Sequence, residues 1–184
     1  MNTSTTGGAE PPSTCDSYCA DITENCIHDL AQFLNTESCK ATCADYRAGK
    51  PGDITGNSLA CRDYHARAAA FEPQVHCPHA GPTGGDNDVS DTMENVCGDG
   101  CEAFCDIAVK TCNAQYHDAV ACMSACRKFK PNAFIYSAAF YSMSENWKDD
   151  FGCRMYHLSV ATTSPDAAKT HCPHITLASP VCTK

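Results

Sequence analysis

The chain is predicted to be all-α: two tandem disulfide-stapled helical hairpins, each followed by a third helix and a Cys-Pro loop. Three observations lead there. Cys15, Cys19 and Cys26 stand at i, i+4 and i+11, which on a helix places them within about 40° of one another. The same cysteines and histidines recur in order in the two halves. Alternating apolar and polar residues, the mark of a half-buried strand, are scarce.

The repeat runs Cys15-x3-Cys19-x6-Cys26, Cys39-x3-Cys43, Cys61-Arg62-x-Tyr64-His65 and His76-Cys77-Pro78-His79 in the first half. The second half reads Cys101-x3-Cys105-x6-Cys112, Cys122-x3-Cys126, Cys153-Arg154-x-Tyr156-His157 and His171-Cys172-Pro173-His174. Other residues have drifted and the gaps have changed length. Cysteines kept through that drift indicate a disulfide frame; histidines kept through it indicate a site. The boundaries are a disordered linker over 1–12, a first repeat over 13–80, a linker over 81–96 and a second repeat over 97–184.

Each element has a local reason. Thr14 and Asp16 after Pro11-Pro12 open the first helix, with Ile22, Leu30, Phe33 and Leu34 as its apolar contacts. The second opens near Thr36 and stops at Gly49-Lys50-Pro51-Gly52; the third runs from near Asn57 through Cys61 and His65 to Ala68-Ala69-Ala70. In the second half Asp99, with Glu102 three residues on, resembles a capping box, and Pro131 closes the second helix. The longer gap there holds an aromatic segment, Phe134 to Trp147, expected to form its own helix.

All 16 cysteines can pair, and at about one residue in eleven they place the chain among disulfide scaffolds. Each unit is small enough to need bridges worth roughly 2–4 kcal/mol apiece. Paired Cys-x3-Cys segments stitch antiparallel hairpins, giving Cys15–Cys43, Cys19–Cys39, Cys101–Cys126 and Cys105–Cys122. Cys26–Cys61 and Cys112–Cys153 would tie on the third helices. Nearest-segment pairing then leaves Cys77–Cys97 and Cys172–Cys182, with a clasp between the two units as the alternative.

The compartment implied is oxidising: extracellular, cell-surface or periplasmic. Residues 1–12 have neither a charged n-region nor an apolar core, so an export signal or a lipid-attachment cysteine is expected upstream. No stretch is apolar and long enough to span a membrane. The net charge of −9 argues against nucleic acid as a partner. The basic cluster Arg127, Lys128 and Lys130 is explained by a helix end.

The histidines carry the chemistry. His65 follows Cys61 by one helical turn, while His76 and His79 flank a Cys-Pro pair stiffened by the fixed proline φ. Three imidazoles preorganised in this way suit copper or zinc with one coordination position open. His157, His171 and His174 offer the same in the second half. The competing account is a helix-packing Tyr-His and a His-Cys-Pro-His loop cap. A non-covalent haem between two axial histidines is a further alternative, the alanine run beside His65 giving room for a ring. Arg62 and Arg154 either bind a carboxylate or hold the Pro-containing loop through its carbonyls, the second being the simpler role. Tyr64 and Tyr156 are packing residues.

Gly98-x-Gly100-x-x-Ala103 lacks a preceding strand, and Asp86, Asp88, Asp91 and Glu94 lack an EF-hand glycine, so neither motif carries weight. No general base or oxyanion donor accompanies the histidines, so a metal-binding protein is expected rather than an enzyme. The second reading is a structural, self-associating or partner-binding protein that uses 134–147.

At Cys-Arg-x-Tyr-His and His-Cys-Pro-His the chain resembles cysteine-rich exported proteins and lipoproteins of bacteria with Thr/Gly-rich leaders. The likeness covers both repeats and includes Gly56-Asn57-Ser58-Leu59 before Cys61; the second half departs there with Lys148-Asp149-Asp150-Phe151-Gly152. The resemblance implies export and a repeat structure, and no activity.

Overall fold

Short polar side chains open most of the helices. In the computed structural model, which describes residues 11–85, 96–132 and 135–184, the elements are helices and turns with no strand among the described residues. The helices are α1 (Cys15–Asn25), α2 (Thr36–Cys43), α3 (Leu59–Ala68), α4 (Pro73–Ala80), α5 (Gly100–Thr111), α6 (Ala119–Cys126), α7 (Ala138–Tyr141), α8 (Phe151–Ala161) and α9 (Pro165–His171). Thr14, Asn35, Ser58, Asp99, Asp118, Ser137, Asp150 and Ser164 each accept a backbone N–H of the first turn, satisfying a donor the helix itself cannot. The expectations for residues 1–10, for Asp86, Asp88, Asp91 and Glu94, and for Phe134 lie outside the described residues.

Two sequence expectations about local structure are corrected. The His-Cys-Pro-His segments are not loops. His76 and His79 lie on α4, with Pro73 at its first position, where the missing N–H costs nothing. His171 ends α9, and Cys172–Ile175 continues as a 3-10 turn. The described part of the 134–147 segment, 135–147, holds the four-residue α7 and a 3-10 turn at Ser144–Asn146 in place of one helix. Tyr136 and Tyr141 are buried and stack on one another, five residues apart and roughly half a helical turn out of register on a continuous helix.

The four hairpin bridges form as expected: Cys15–Cys43, Cys19–Cys39, Cys101–Cys126 and Cys105–Cys122. The remaining four are corrected to Cys26–Cys77, Cys61–Cys97, Cys112–Cys172 and Cys153–Cys182. The reason is axial position. The Asn25 amide donates to the Ala66 carbonyl (2.9 Å), so α1 ends against the far end of α3. Cys61 lies five residues back, about 7 Å along the helix, too far for a bridge from Cys26. The end of α1 meets α4 instead, and Cys77 takes the bond. Cys61–Cys97 ties the first repeat to residue 97, where the sequence pattern starts the second, so that boundary moves past Cys97. The pairing order is the same in each half.

Two cores result. One gathers Tyr18, Ile22, Phe33 and Leu59; the larger gathers Phe104, Ile107, Tyr136, Phe151, Leu158 and Ile175, and Tyr46 packs against both. The aromatic insertion joins the halves: Ala138 N donates to Ala31 O (2.7 Å), and the Gln32 amide to Tyr136 O (3.2 Å). Arg47 pairs across the same seam with Glu102 (3.0 Å) and Asp106 (2.7 Å). Arg127, at the C-cap of α6, pairs with Asp99, and Lys130 pairs with Asp149 (2.8 Å), so these two basic side chains are held by carboxylates.

Candidate metal centre

Each histidine centre rests on a buried arginine. Arg62 and Arg154 are 0% and 1% exposed. Arg62 donates from Nε to Gly81 O (3.2 Å) and from Nη1 to Ser58 O (3.2 Å), with its guanidinium 4.4 Å over the Tyr46 ring. Arg154 donates from Nε to Thr176 O (3.1 Å) and from Nη1 to Asp150 O (2.8 Å), and lies 4.5 Å over Phe129. In both halves the carbonyl held by Nε belongs to the residue two after the last histidine. Arg154 also pairs through Nη2 with the Asp149 carboxylate (2.7 Å), so it holds a carboxylate of the chain itself, while both arginines position the Pro-containing segment as the sequence suggests.

A tyrosine makes the same tie one residue earlier. Tyr18 Oη donates to Ala80 O (2.6 Å) and Tyr116 Oη to Ile175 O (3.1 Å). These tyrosines come from different places in their halves, Tyr18 just before Cys19 and Tyr116 four residues after Cys112. The same anchor has thus been supplied twice by different residues.

Held in this way, the imidazoles converge. In the first half His65, on α3, meets His76 and His79, one turn apart on α4, and one nitrogen from each ring lies within 4.8 Å of the other two. His65 Nδ1 is 2.8 Å from His76 Nδ1. His65 Nε2 lies 3.1 Å from the Ile54 carbonyl, which can only accept, so this bond puts the proton on Nε2 and leaves the Nδ1 lone pair facing the trio. In the second half His157, on α8, has Nδ1 2.9 Å from His171 Nδ1 and 3.4 Å from His174 Nδ1.

These separations suit a metal ion. Two nitrogens each about 2.05 Å from one ion stand about 2.9 Å apart at a right angle and about 3.3 Å apart at the tetrahedral angle. They do not suit trans ligation of haem, whose axial nitrogens would lie about 4 Å apart across the ring. Ala66 and Ala69 are buried in the core, so they do not line an open slot beside His65. Cys61 and Cys97 lie beside His65, and Cys153 and Cys182 beside His157, but all four are spent in bridges.

Burial favours the neutral form of His65, His79, His157, His171 and His174. It pushes His65 below the ordinary imidazole range, opposed in part by the Ile54 carbonyl and aided by His76, and pushes His79 down to about 4, with His65 and His76 adding to the effect. His157 is pushed down to about 3, again by burial first and then by His174 and His171; His171 is lowered by burial and by His174, and His174 by burial alone. Neutral imidazole is the form that binds metal. Among the described residues two buried histidine nitrogens lack hydrogen-bond partners: His79 Nδ1 in the first centre, and in the second His157 Nε2, the ring nitrogen other than the Nδ1 that meets His171 and His174. Such groups are costly unless something fills them.

Three features around the centres carried no sequence signal. The Ile54 carbonyl is a backbone atom. Glu72, 3.9 Å from His76 Nε2, is one acidic residue among many. Trp147, whose ring centroid lies 4.7 Å from that of His157, belongs to a segment read as a separate helix.

Residues 9–92, which include the whole of the first centre, match the BfoA family C-terminal domain. The chain is 35% identical over 76 residues to the aurasperone B biosynthesis cluster protein A of Aspergillus niger, covering 41% of this chain and 25% of that protein. It is 35% identical over 81 residues to the bifonsecin B biosynthesis cluster protein A of Aspergillus brasiliensis, covering 43% and 25% respectively. The chain therefore spans about a quarter of the length of these relatives. They are fungal, and do not support the bacterial attribution drawn from the short motifs. No solved structure matches.

Proposed function

We propose that the chain is an exported metal-binding protein that holds one copper or zinc ion in each half, through His65, His76 and His79 and through His157, His171 and His174. The observation that carries this reading is the convergence of imidazole nitrogens, 2.8 Å apart in one half and 2.9 and 3.4 Å in the other, from segments pinned by a bridge, an arginine and a tyrosine. Imidazole nitrogens turned toward one another set lone pairs in contact. A shared proton relieves one such contact, and a cation relieves all of them. Three protein ligands leave a fourth position open for exchange or for an outside ligand. We read the centres as binding, buffering or carrying metal rather than as catalytic.

Eight disulfides fit an oxidising compartment. Among the described residues no helix is long and apolar enough to cross a membrane. Elemental analysis of untagged protein, before and after dialysis against Cu²⁺ or Zn²⁺, tests the reading. Two ions per chain are expected, falling to one in His76→Ala. Protein that refuses both metals would sink it.

The second reading, a partner-binding surface on 134–147, draws support from one feature. Tyr136 and Tyr141 are buried, but Ile135 and Met143 remain half exposed and line a groove of about 450 Å³ with Asp29 and Phe140. Deleting the segment would part the halves, so the test is Ile135→Asp with Met143→Asp. Unchanged association on sizing would count against this reading.

A further inference from the structure

We propose that the two centres hold ions of different charge: the first a divalent ion, Zn²⁺ or Cu²⁺, and the second Cu(I). The inference rests on the metal reading above and deepens it. It comes from what lies behind the ligating nitrogens rather than from the trios themselves.

In the first half the outward nitrogens face acceptors. His65 Nε2–H donates to the Ile54 carbonyl at 3.1 Å, and His76 Nε2 lies 3.9 Å from the Glu72 carboxylate. A proton displaced from His76 Nδ1 by an ion would move to Nε2, where the carboxylate awaits it. An acceptor on the distal N–H raises the basicity of the imidazole and so strengthens its bond to a more highly charged ion. Glu72 adds a full negative charge nearby.

In the second half both acceptors are replaced. The connection that supplies Ile54 in the first half supplies Trp147 in the second, its indole at 70° to the His157 ring. That indole is held by its own bond from Nε1 to Tyr141 O (2.8 Å). His157 Nε2 is buried with no hydrogen-bond partner. Ala167 stands four residues before His171, where Glu72 stands four before His76. His157 is 0% exposed, against 6% for His65. The cost of bringing an ion to a buried ligand with no acceptor behind it grows with the square of the charge, so a divalent ion is penalised about fourfold more than a monovalent one. Cu(I) accepts three imidazoles and needs no fourth ligand, whereas Zn²⁺ calls for one.

The test uses the full chain with its disulfides intact, in thiol-free anaerobic buffer. His171→Ala leaves only the first centre and His76→Ala only the second; both residues are half-buried, so neither change empties the core. Zn²⁺ and Cu(I) affinities are measured by competition with chromophoric chelators. The ratio of Cu(I) to Zn²⁺ affinity is expected to be at least about tenfold higher at the second centre, the usual scale of outer-shell effects. Glu72→Ala should raise the ratio at the first centre. Trp147→Gln, which offers an amide acceptor, should lower it at the second, while Trp147→Phe leaves it unchanged. Equal ratios at the two centres, or ratios unmoved by Glu72→Ala and Trp147→Gln, would overturn this inference alone. Failure of both ions to bind at either centre would overturn the metal reading with it.

Discussion

Acid should destabilise the metal-free protein well above the pH at which ordinary carboxylates protonate, and His157 should account for much of the effect. In the folded chain burial pushes its pKa down to about 3, whereas the unfolded chain binds a proton near 6.5. Above about pH 6.5 both states are neutral and the residue exerts no pH-dependent effect. As the pH falls below that, only the unfolded state takes up the proton, so stability is lost at about 1.4 kcal/mol per unit until the folded pKa is reached. Between pH 6.5 and 4.5 the loss from His157 alone is about 3 kcal/mol. For a chain of this length that corresponds to a fall in Tm of about 6–12 °C, and more where cross-links reduce the entropy of unfolding. His79 contributes in the same direction over pH 6.5 to about 4. Thermal melts of chelator-treated wild type and His157→Asn at pH 7.5 and 4.5 measure the difference. The variant should start lower and fall less. If both proteins lose the same number of degrees, the buried neutral imidazole is not the source and the reasoning fails.

Further outcomes follow from the scaffold. Arg62→Met leaves the Ser58 and Gly81 carbonyls without their buried donor, and should cost about 3–5 kcal/mol in denaturant melts while weakening metal binding in the first half only; a cost under about 1 kcal/mol would refute the positioning role. Peptide mapping of unreduced protein should recover Cys26–Cys77, Cys61–Cys97, Cys112–Cys172 and Cys153–Cys182, and recovery of Cys77–Cys97 would overturn the connectivity. Gly152→Ala places a Cβ against the Tyr141 ring, whose hydroxyl donates to Asp150 (3.0 Å); we expect a loss of about 1–3 kcal/mol, and unchanged stability would show the ring free to move.

What the sequence made legible follows from how local each feature is. The hairpin bridges could be read because cysteines four apart on one helix face a matching pair on the next, a relation set by helix geometry alone. The other bridges could not, because their choice depends on where α1 ends along α3. That position is set by the Asn25–Ala66 contact and by packing of the cores. The histidine trios were legible because the repeat marks them, but their setting was misread. Pro78 and Pro173 suggested loops, whereas a proline within the last turns of a short helix, or at the start of a 3-10 turn, removes few bonds. Helical spacing explains the convergence better than a loop does, since residues three apart lie on one face and nearly eclipse in a 3-10 turn.

The two anchoring tyrosines bear on whether the trios are a site or only packing. If the histidines merely filled space between α3 and α4, the backbone after the last histidine would need no fixed height, and its anchor could be lost as the halves diverged. Instead Ala80 O and Ile175 O are each held by a tyrosine hydroxyl reached from a different sequence position, and Gly81 O and Thr176 O by an arginine that the repeat preserves. Four bonds thus fix the two segments that carry His79 and His174, in halves whose connections differ in length and whose surrounding residues have otherwise changed. Packing alone tolerates shifts of a few tenths of an ångström, because rings slide. Coordination does not, since a metal–nitrogen bond near 2 Å fixes all three nitrogens at once. The precision of the support therefore matches the demands of an ion better than those of a core. A pair such as Tyr18→Phe and Tyr116→Phe separates the two accounts. On the coordination account each weakens metal affinity in its own half, by about tenfold on the scale of outer-shell changes. On the packing account both lower stability and leave affinity alone.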